Sequence, residues 1–274
     1  MTKKIKTLAE IVEENKLRQR KPGNYVNYRV NQLDEQGKSI IVPFSDIHYG
    51  NKYCKEKEFM KNLEWAYDKP NVVLALNGDL IESKTRSRKG DGIFSQINPQ
   101  EQLDWAINVF KPFADQKRII AMTNGNHEDA ITLETGIDVS AIIAKELGIP
   151  YLHNGGFMNV KVGKQSYIIY MTHGSSGATL PYTKSKACRD LSTFIQADVY
   201  LYGHVHSKEH ATQEVYTVDK RRGVVDTKTL NFVLTGHYLD YVNSYAQMKS
   251  MRPSSTGTPK IKLHSLENLI KVSL

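Results

Sequence analysis

Five short stretches of this 274-residue sequence place side chains that can bind metal ions directly after a run of apolar residues. These nitrogen- and oxygen-bearing side chains belong to Asp46, His48, Asp79, Asn126, His127, Glu128, His173, His204 and His206. Donors of this kind, without a thiolate, suit Mn, Fe or Zn better than a cysteine-based structural zinc site. If the five stretches meet in space, the sequence predicts a metal centre.

The apolar runs before these residues are predicted to be strands, because they are short and rich in Val, Ile and Tyr. They cover residues 39–45, 71–77, 118–124, 167–172 and 198–202. Between them, apolar residues recur with helical spacing, as in Phe59, Leu63 and Tyr67, and this alternation predicts an α/β domain. Ligand sites in α/β sheets lie beyond the carboxyl ends of the strands, so we expect the five stretches at one edge of the domain.

The number and spacing of the donors favour two metal ions over one. Seven ligands are too many for one transition metal but suit two ions that share a carboxylate, and such pairs, about 3.5–4 Å apart, are typical of in-line attack at phosphorus. Asp46 and His48 alternate in sequence, so they can converge only where the strand gives way to a loop, and the same holds for His204 and His206. A lone D-x-H or G-D is common in turns, whereas all five motifs in order are a specific signal.

The order of the motifs, D-x-H, G-D, G-N-H-D/E, H-G and G-H-x-H, resembles that of the calcineurin-like metallophosphoesterases. The motifs span residues 46–206. The resemblance implies an α/β fold of four αββα layers with two mixed sheets, and a dinuclear metal centre. It also implies two divalent metal ions as cofactors, Mn²⁺ in the first place and Fe, Zn or Ni as alternatives.

The same resemblance implies a role for each residue of the site. One metal would be bound by Asp46, His48, Asp79 and His206. The other would be bound by Asp79, Asn126, His173 and His204, so that Asp79 bridges the two ions. His127 matches the family's histidine that is not a ligand and that protonates the leaving oxygen or stabilises the transition state. Glu128 would orient His127.

Two further features favour one branch of that family. The second motif continues as Gly-Asp-Leu-Ile-Glu-Ser without the Arg-Gly of the serine/threonine protein phosphatases, and G-H-x-H is intact. We therefore expect an enzyme, a phosphodiesterase or nuclease that acts on nucleic acid or nucleotides. Residues 237–259 also resemble those of phage- and prophage-encoded metallophosphatases. The alternatives are a phosphomonoesterase acting on phosphoprotein or a small metabolite, and an inactive metal-holding binding module, although no ligand of the motif set is missing.

Basic residues near the motifs are candidates for substrate binding. Arg86, Arg88 and Lys89 follow the second motif, and Tyr182 and Lys184 follow His173. The cations could hold flanking phosphates of DNA or RNA, with Tyr182 stacking on a base. The formal net charge of +8 suits such a partner but equally suits a basic protein without one.

The rest of the chain predicts its organisation and location. Residues 1–38 are predicted to be a basic N-terminal helix and connector, residues 39–240 the catalytic domain, and residues 241–274 a C-terminal tail that packs on it. Residues 213–230 are predicted to form a hairpin, with a separate strand at 231–236. Two distant cysteines and the lack of a long apolar run predict a reduced, cytoplasmic protein with no membrane partner. The resemblance to phage-encoded proteins implies a bacterial or phage-infected cell. No partner protein is predicted.

Overall fold

The computed structural model describes residues 7–10, 12–13, 24–83, 97–175, 177, 180–242, 244–248 and 252–274. The strands of these residues are β1 (Tyr25–Arg29), β2 (Lys38–Phe44), β3 (Val72–Asn77), β4 (Ile119–Thr123), β5 (Gly155–Val162), β6 (Gln165–Thr172), β7 (Val199–Tyr202), β8 (Lys208–Asp219), β9 (Val224–Thr235), β10 (Lys260–His264) and β11 (Ile270–Ser273). The helices are α1 (Glu56–Tyr67), α2 (Pro99–Asp115), α3 (Asn126–Thr135), α4 (Val139–Leu147), α5 (Pro181–Asp190) and α6 (Tyr245–Met248), with a 3₁₀ turn at Leu191–Thr193.

The strands form two mixed sheets. The first sheet has the order β1-β5-β6-β7-β9-β8, in which β6, β7 and β9 run parallel and β8 closes the edge as the antiparallel partner of β9. The second sheet has the order β11-β10-β2-β3-β4, in which β2, β3 and β4 run parallel. In this second sheet β10 is antiparallel to both β2 and β11. The predicted pair of mixed sheets is confirmed.

The two sheets pack face to face, and helices cover their outer faces. Successive residues of β2 point to opposite sides, so Ile41 packs in the core between the sheets while Ile40 and Val42 pack under the helices. The core between the sheets includes Val73, Ile120, Val160, Ile169 and Leu201. The outer core of the second sheet includes Phe59 of α1, Phe110 of α2 and Ile143 of α4. On the first sheet, Cys188 of α5 packs with Tyr200 and Phe232. These are the four predicted αββα layers.

One strand differs from its prediction. The strand expected at 231–236 is the second half of β9, which pairs with β8 without interruption from Lys208↔Thr235 to Asp219↔Val224. The polar residues in its first half made that half look like a separate hairpin arm, but the continuous ladder joins both halves. Residues 8–10 and 12–13 are helical, and most of the predicted N-terminal helix lies outside the described residues. Among the described residues, no helix combines the length and apolar character needed to cross a bilayer.

Candidate metal centre

The predicted site residues follow the carboxyl ends of five strands that belong to both sheets. From the second sheet, β2 ends before Asp46, β3 before Asp79 and β4 before Asn126. From the first sheet, β6 ends before His173 and β7 before His204. Packing the sheets face to face brings both sets of strand ends to one edge, as the sequence predicts for an α/β layered domain.

A left-handed backbone at most of these residues lets their side chains converge. The φ angles are 50° at Asp46, 53° at His48, 49° at Asp79, 65° at His204 and 47° at His206. Non-glycine residues rarely adopt positive φ, and each such residue costs of the order of 1–3 kcal/mol unless the surrounding structure enforces it. The conformation ends the strand alternation, so the pairs Asp46/His48 and His204/His206 can both face one site.

The first group of donors consists of Asp46, His48 and His206. The Nε2 atom of His206 lies 3.2 Å from Oδ1 of Asp46 and 3.1 Å from Nε2 of His48. His48 is buried at 1% exposure and Asp46 at 0%. The donor atoms of the three residues lie within 4.8 Å of one another, which is the geometry of a candidate metal site.

The second group consists of Asp79, Asn126, His173 and His204. His173 Nε2 lies 3.1 Å from both Asp79 Oδ2 and Asn126 Oδ1. Asn126 Oδ1 also lies 2.6 Å from Nδ1 of His204. Asp79 Oδ2 is 3.8 Å from His48 Nε2, so this carboxylate lies between the two groups.

The hydrogen bonds of two histidine rings turn their Nε2 atoms towards the other donors of the site. His48 Nδ1 faces Oε2 of Glu82 at 3.2 Å, and His173 Nδ1 faces the carbonyl oxygen of Asn77 at 2.8 Å. Each Nδ1 therefore donates its hydrogen to that oxygen, which leaves Nε2 as the ring atom that faces the other donors. The buried Oδ1 of Asp46 makes no hydrogen bond within the described residues. Converging lone pairs in a buried site are unfavourable unless a cation lies between them, so the residues fit divalent metal ions.

The carboxylates of the site are held in their ionised form. Burial by itself would raise the pKa of Asp46, but the charge of His173 and the nearby His206 outweigh it and bring the pKa below its usual value. The same balance of burial against His173 and His127 brings the pKa of Asp79 well below its usual value. Burial lowers the pKa of His173, yet Asp79 and Asp46 raise it to about 10. The site therefore demands positive charge, which divalent cations would supply.

His127 lies against the donors with its ring fixed by Glu82. Its Nδ1 is 2.8 Å from the carbonyl oxygen and 3.7 Å from Oε2 of Glu82, and its backbone N–H donates to Asp79 Oδ1 at 2.9 Å. The ring meets the His48 ring edge-on at a centroid distance of 4.5 Å. A donor atom of His127 also groups with His48 and Asp79 within 4.8 Å. Because Nδ1 donates to a carbonyl, Nε2 is the atom that can exchange a proton.

The structure corrects the role predicted for Glu128. Its carboxylate accepts hydrogen bonds from the backbone N–H groups of Asp79, Leu80 and Ile81, at 3.0, 2.7 and 3.1 Å, so it fixes the turn after β3 instead of orienting His127. Burial and the Asp79 charge raise the pKa of Glu128 to about 7. The residue that orients the ring is Glu82, which sequence reasoning missed although it stands in the quoted Gly-Asp-Leu-Ile-Glu-Ser.

The predicted substrate-binding residues fall into three situations. Tyr182, on α5, is exposed at 69%. Lys184 is buried at 3% exposure, and its Nζ donates to Oγ of Ser207 at 3.0 Å, so it does not overhang the site as a solvated loop residue would. The predicted residues Arg86, Arg88 and Lys89 lie outside the described residues.

Sequence reasoning also missed His237, which lies beside the first group of donors. Its ring stacks on that of His206, with centroids 5.2 Å apart and planes inclined by 11°. It follows β9 in the chain, where no motif spacing marks it.

Comparisons with known proteins concern the part of the chain that holds these site residues. A family model described as calcineurin-like phosphoesterase matches residues 41–208, more than half of the chain, and this range holds every donor named above. No curated protein matches the chain.

Among solved structures, the chain is similar to a conserved Streptococcus pneumoniae TIGR4 protein described as a predicted phosphoesterase, with 14% identity and a TM-score of 0.36 over 86% of this chain and 88% of that one. It is similar to a single mutant of Vps29 from Entamoeba histolytica, with 13% identity and a TM-score of 0.38 over 85% of this chain and 97% of that one. Wild-type Vps29 complexed with Zn²⁺, from the same organism, is 16% identical with a TM-score of 0.32, over 73% of this chain and 96% of that one.

Proposed function

The chain belongs to the calcineurin-like phosphoesterase family, and from this premise we propose that it is a metal-dependent hydrolase of phosphodiesters in nucleic acid or nucleotides. The observation that carries the proposal is the position of Asp79 between two groups of candidate ligands, with the His127 ring against them. This arrangement suits two cations that share one carboxylate, as in-line displacement at phosphorus requires.

Each group of donors would hold one ion. Asp46, His48 and His206 would hold the first, and Asn126, His173 and His204 the second, with Asp79 shared. Two divalent cations, of which we expect Mn²⁺, would supply an activated water and neutralise charge on the phosphate oxygens. Asn126 offers a ligand oxygen without a negative charge, so the site carries less charge that would repel an anionic substrate.

His127 would act on the leaving group. Its Nδ1–H is held by the carbonyl oxygen of Glu82, so Nε2 is the atom that delivers a proton to the departing alkoxide. The Glu82 carboxylate lies 3.7 Å from Nδ1 and places a negative charge beside the ring. An alkoxide is a poor leaving group without a proton, and this role therefore suits ester hydrolysis.

The preference for diesters is supported by the intact G-H-x-H motif, whose two histidines serve different groups of donors. The test is a screen of the Mn²⁺-supplemented protein against an aryl phosphomonoester, an aryl phosphodiester, a cyclic nucleotide, single-stranded and duplex DNA, and RNA. We expect hydrolysis of the aryl phosphodiester and of at least one nucleotide substrate. The Asp79→Asn variant, assayed in parallel, separates this activity from a contaminant. Activity confined to the phosphomonoester would replace the proposal by a phosphomonoesterase, and no activity would favour a metal-holding binding module.

A further inference from the structure

A small cavity lies against His206, beside the candidate metal centre. Among the described residues, its lining includes Lys184, His206, His237, Tyr241, Arg252 and Ser254, and no carboxylate. Its enclosed part, about 10 Å³, has room for about one oxygen-sized group. We call it the His237 cavity. Because lysine, arginine and histidine side chains line it, the cavity offers positive charge and hydrogen-bond donors to a small acceptor.

His237, which lines this cavity, has an unused hydrogen-bond donor. The residue is buried at 6% exposure, and its Nδ1 accepts the backbone N–H of Leu239 at 3.3 Å. The ring hydrogen is therefore on Nε2, and that buried atom has no hydrogen-bond partner within the described residues. A buried donor without an acceptor is unfavourable, so an acceptor in the cavity would be stabilising.

Lys184 adds a buried positive charge that is only partly compensated. Its Nζ uses one hydrogen for Oγ of Ser207 at 3.0 Å, and two more remain for an acceptor. Burial lowers its pKa, and the charge of Glu209 on β8 partly offsets this effect. In the described part of the chain no carboxylate comes within 4.0 Å of Nζ, which leaves the ammonium without an ion pair. Arg252, which is exposed, brings a second cation to the same cavity.

We propose that the His237 cavity binds an oxygen of a second phosphate group of the substrate, next to the phosphate that is cleaved. This inference rests on the proposed function, because the cavity and the metal centre share His206. Two cationic side chains, a neutral N–H donor and no acid match a phosphate oxygen, and charge-assisted hydrogen bonds are the strong ones. Substrates with adjacent phosphates would then be preferred over those with one.

Calorimetric titration of the Mn²⁺-loaded protein tests this preference. The probes are thymidine 5′-monophosphate, thymidine 3′,5′-bisphosphate and a 5′-phosphorylated thymidine dinucleotide, each checked by chromatography to be intact after the titration. We expect the wild type to bind at least one two-phosphate probe about tenfold more tightly than the monophosphate. A preference for the bisphosphate alone assigns a terminal phosphate to the cavity, and one shared by the dinucleotide assigns an internal phosphate.

Variants then locate the preference. Lys184→Met and Arg252→Gln should each reduce it severalfold while leaving the affinity for the monophosphate unchanged. The matched control is Lys186→Gln, since Lys186 lies on the same helix, is exposed and pairs with Asp190; it should behave as the wild type. If a thermal melt shows that Lys184→Met does not fold, the variant Arg252→Gln at the exposed residue provides the test. Equal affinity for all probes, or variants that lose monophosphate binding equally, would overturn the proposal. Because the titration measures the binding of intact probes, its outcome does not depend on whether the protein proves to be a phosphodiesterase.

Discussion

His127 is the residue whose contacts define its chemistry most closely. Its backbone N–H is held by Asp79, its Nδ1 by the carbonyl oxygen of Glu82, and its ring edge by His48. The hydrogen bond of Nδ1 leaves Nε2 as the ring atom that faces the donors, as in His48 and His173. This Nε2 can either exchange a proton with the leaving group or bind a metal ion.

The substitution His127→Ala separates these two roles. We expect both metals to remain bound while kcat falls about 10²–10⁴-fold, since a positioned proton donor contributes about that much. Metal content by elemental analysis and kcat on an aryl phosphodiester are the measurements. Loss of one metal equivalent would instead make His127 a ligand, and an unchanged kcat would remove it from the mechanism.

Glu82 positions two histidines at once, and Glu82→Gln tests that arrangement. Burial by itself would raise the pKa of Glu82, but the hydrogen bond with His48 and the nearby His127 outweigh it and lower the pKa to about 2, so the carboxylate is ionised. Its neutral replacement should weaken metal binding about 10–100-fold, because a carboxylate holds the ligating imidazole in its tautomer. Competition with a chromophoric chelator measures this affinity. The exposed Glu64→Gln on α1 should leave it unchanged, and an equal loss in both variants would refute the positioning role.

The spacing of residues along the chain decides which site residues could be predicted from the sequence. The donors could be predicted because each follows a strand end. The role of Glu128 could not, since adjacent residues on a helix do not face the same side and α3 already begins at Asn126. Glu82 could have been predicted as a site residue, because it stands three residues after Asp79. His237 could not have been predicted, since only the path of the chain after β9 brings it to His206.

At the scale of elements, a glycine lets the strand ends of the two sheets approach. A Cβ atom at Gly203 would lie 2.5 Å from Ser45 Oγ, 3.0 Å from His173 Nδ1 and 3.1 Å from Asp46 Oδ2. The turn after β7 thus passes directly over two candidate ligands. Any side chain there must displace Ser45 Oγ and press on these two ligands.

Gly203→Ala should therefore weaken metal binding and lower stability by about 1–3 kcal/mol, the usual cost of overpacking. Chemical denaturation and the metal affinity are the two measurements. Gly177→Ala serves as the control, because within the described part of the chain nothing lies within 4 Å of its added Cβ. A Gly203→Ala protein with wild-type metal affinity would show that the turn can shift without disturbing the donors.

The end of α1 is fixed by a buried arginine that precedes β4. The guanidinium of Arg118 donates to the carbonyl oxygens of Tyr67 at 3.0 Å, Lys69 at 2.7 Å and Val72 at 2.8 Å, and also to that of Ala66. These acceptors include orphan carbonyls of the helix terminus, which need partners when buried. Arg118 thereby ties α1 to the start of β3, the strand that leads to Asp79.

Arg118→Met should lower the free energy of unfolding by about 2–4 kcal/mol, because it leaves several buried carbonyls without donors. Urea denaturation gives the value. Lys111→Met, which removes an exposed ion pair with Asp115, should cost less than about 0.5 kcal/mol. If the two variants are equally stable, the arginine network contributes nothing to the fold.

Strand predictions succeeded where burial on both faces leaves a continuous apolar run, as in β3. They were less accurate where polar residues interrupt a strand. The first half of β9 is exposed and polar, so local pattern separated it from the second half. The strand β1 lies in the predicted connector, and its partner β5 is more than a hundred residues away in sequence. Pairing over such a distance is invisible to a local pattern.

At the scale of the whole molecule, the candidate metal centre is acidic although the chain as a whole is basic. The chain carries +8, yet the site buries four carboxylates, those of Asp46, Asp79, Glu82 and Glu128. These acidic residues follow strands of the second sheet, whereas the first sheet contributes His173, His204 and His206. Cations bound between the two sets would relieve the repulsion among the acidic residues and join the strand ends of the two sheets.

Removal of metal should therefore destabilise the entire fold and not only abolish activity. A ligand present at a hundred times its Kd stabilises the native state by about 2.7 kcal/mol, which corresponds to roughly 5–10 °C in Tm for a domain of this size. We expect chelation to lower Tm by that amount and Mn²⁺ to restore it. The extensive core between the sheets should keep the metal-free protein folded, with its far-ultraviolet circular dichroism preserved. Asp79→Asn, which lacks the shared carboxylate, should respond to neither chelator nor Mn²⁺. If neither chelator nor Mn²⁺ changes the Tm of the wild type, no cation binds between the sheets.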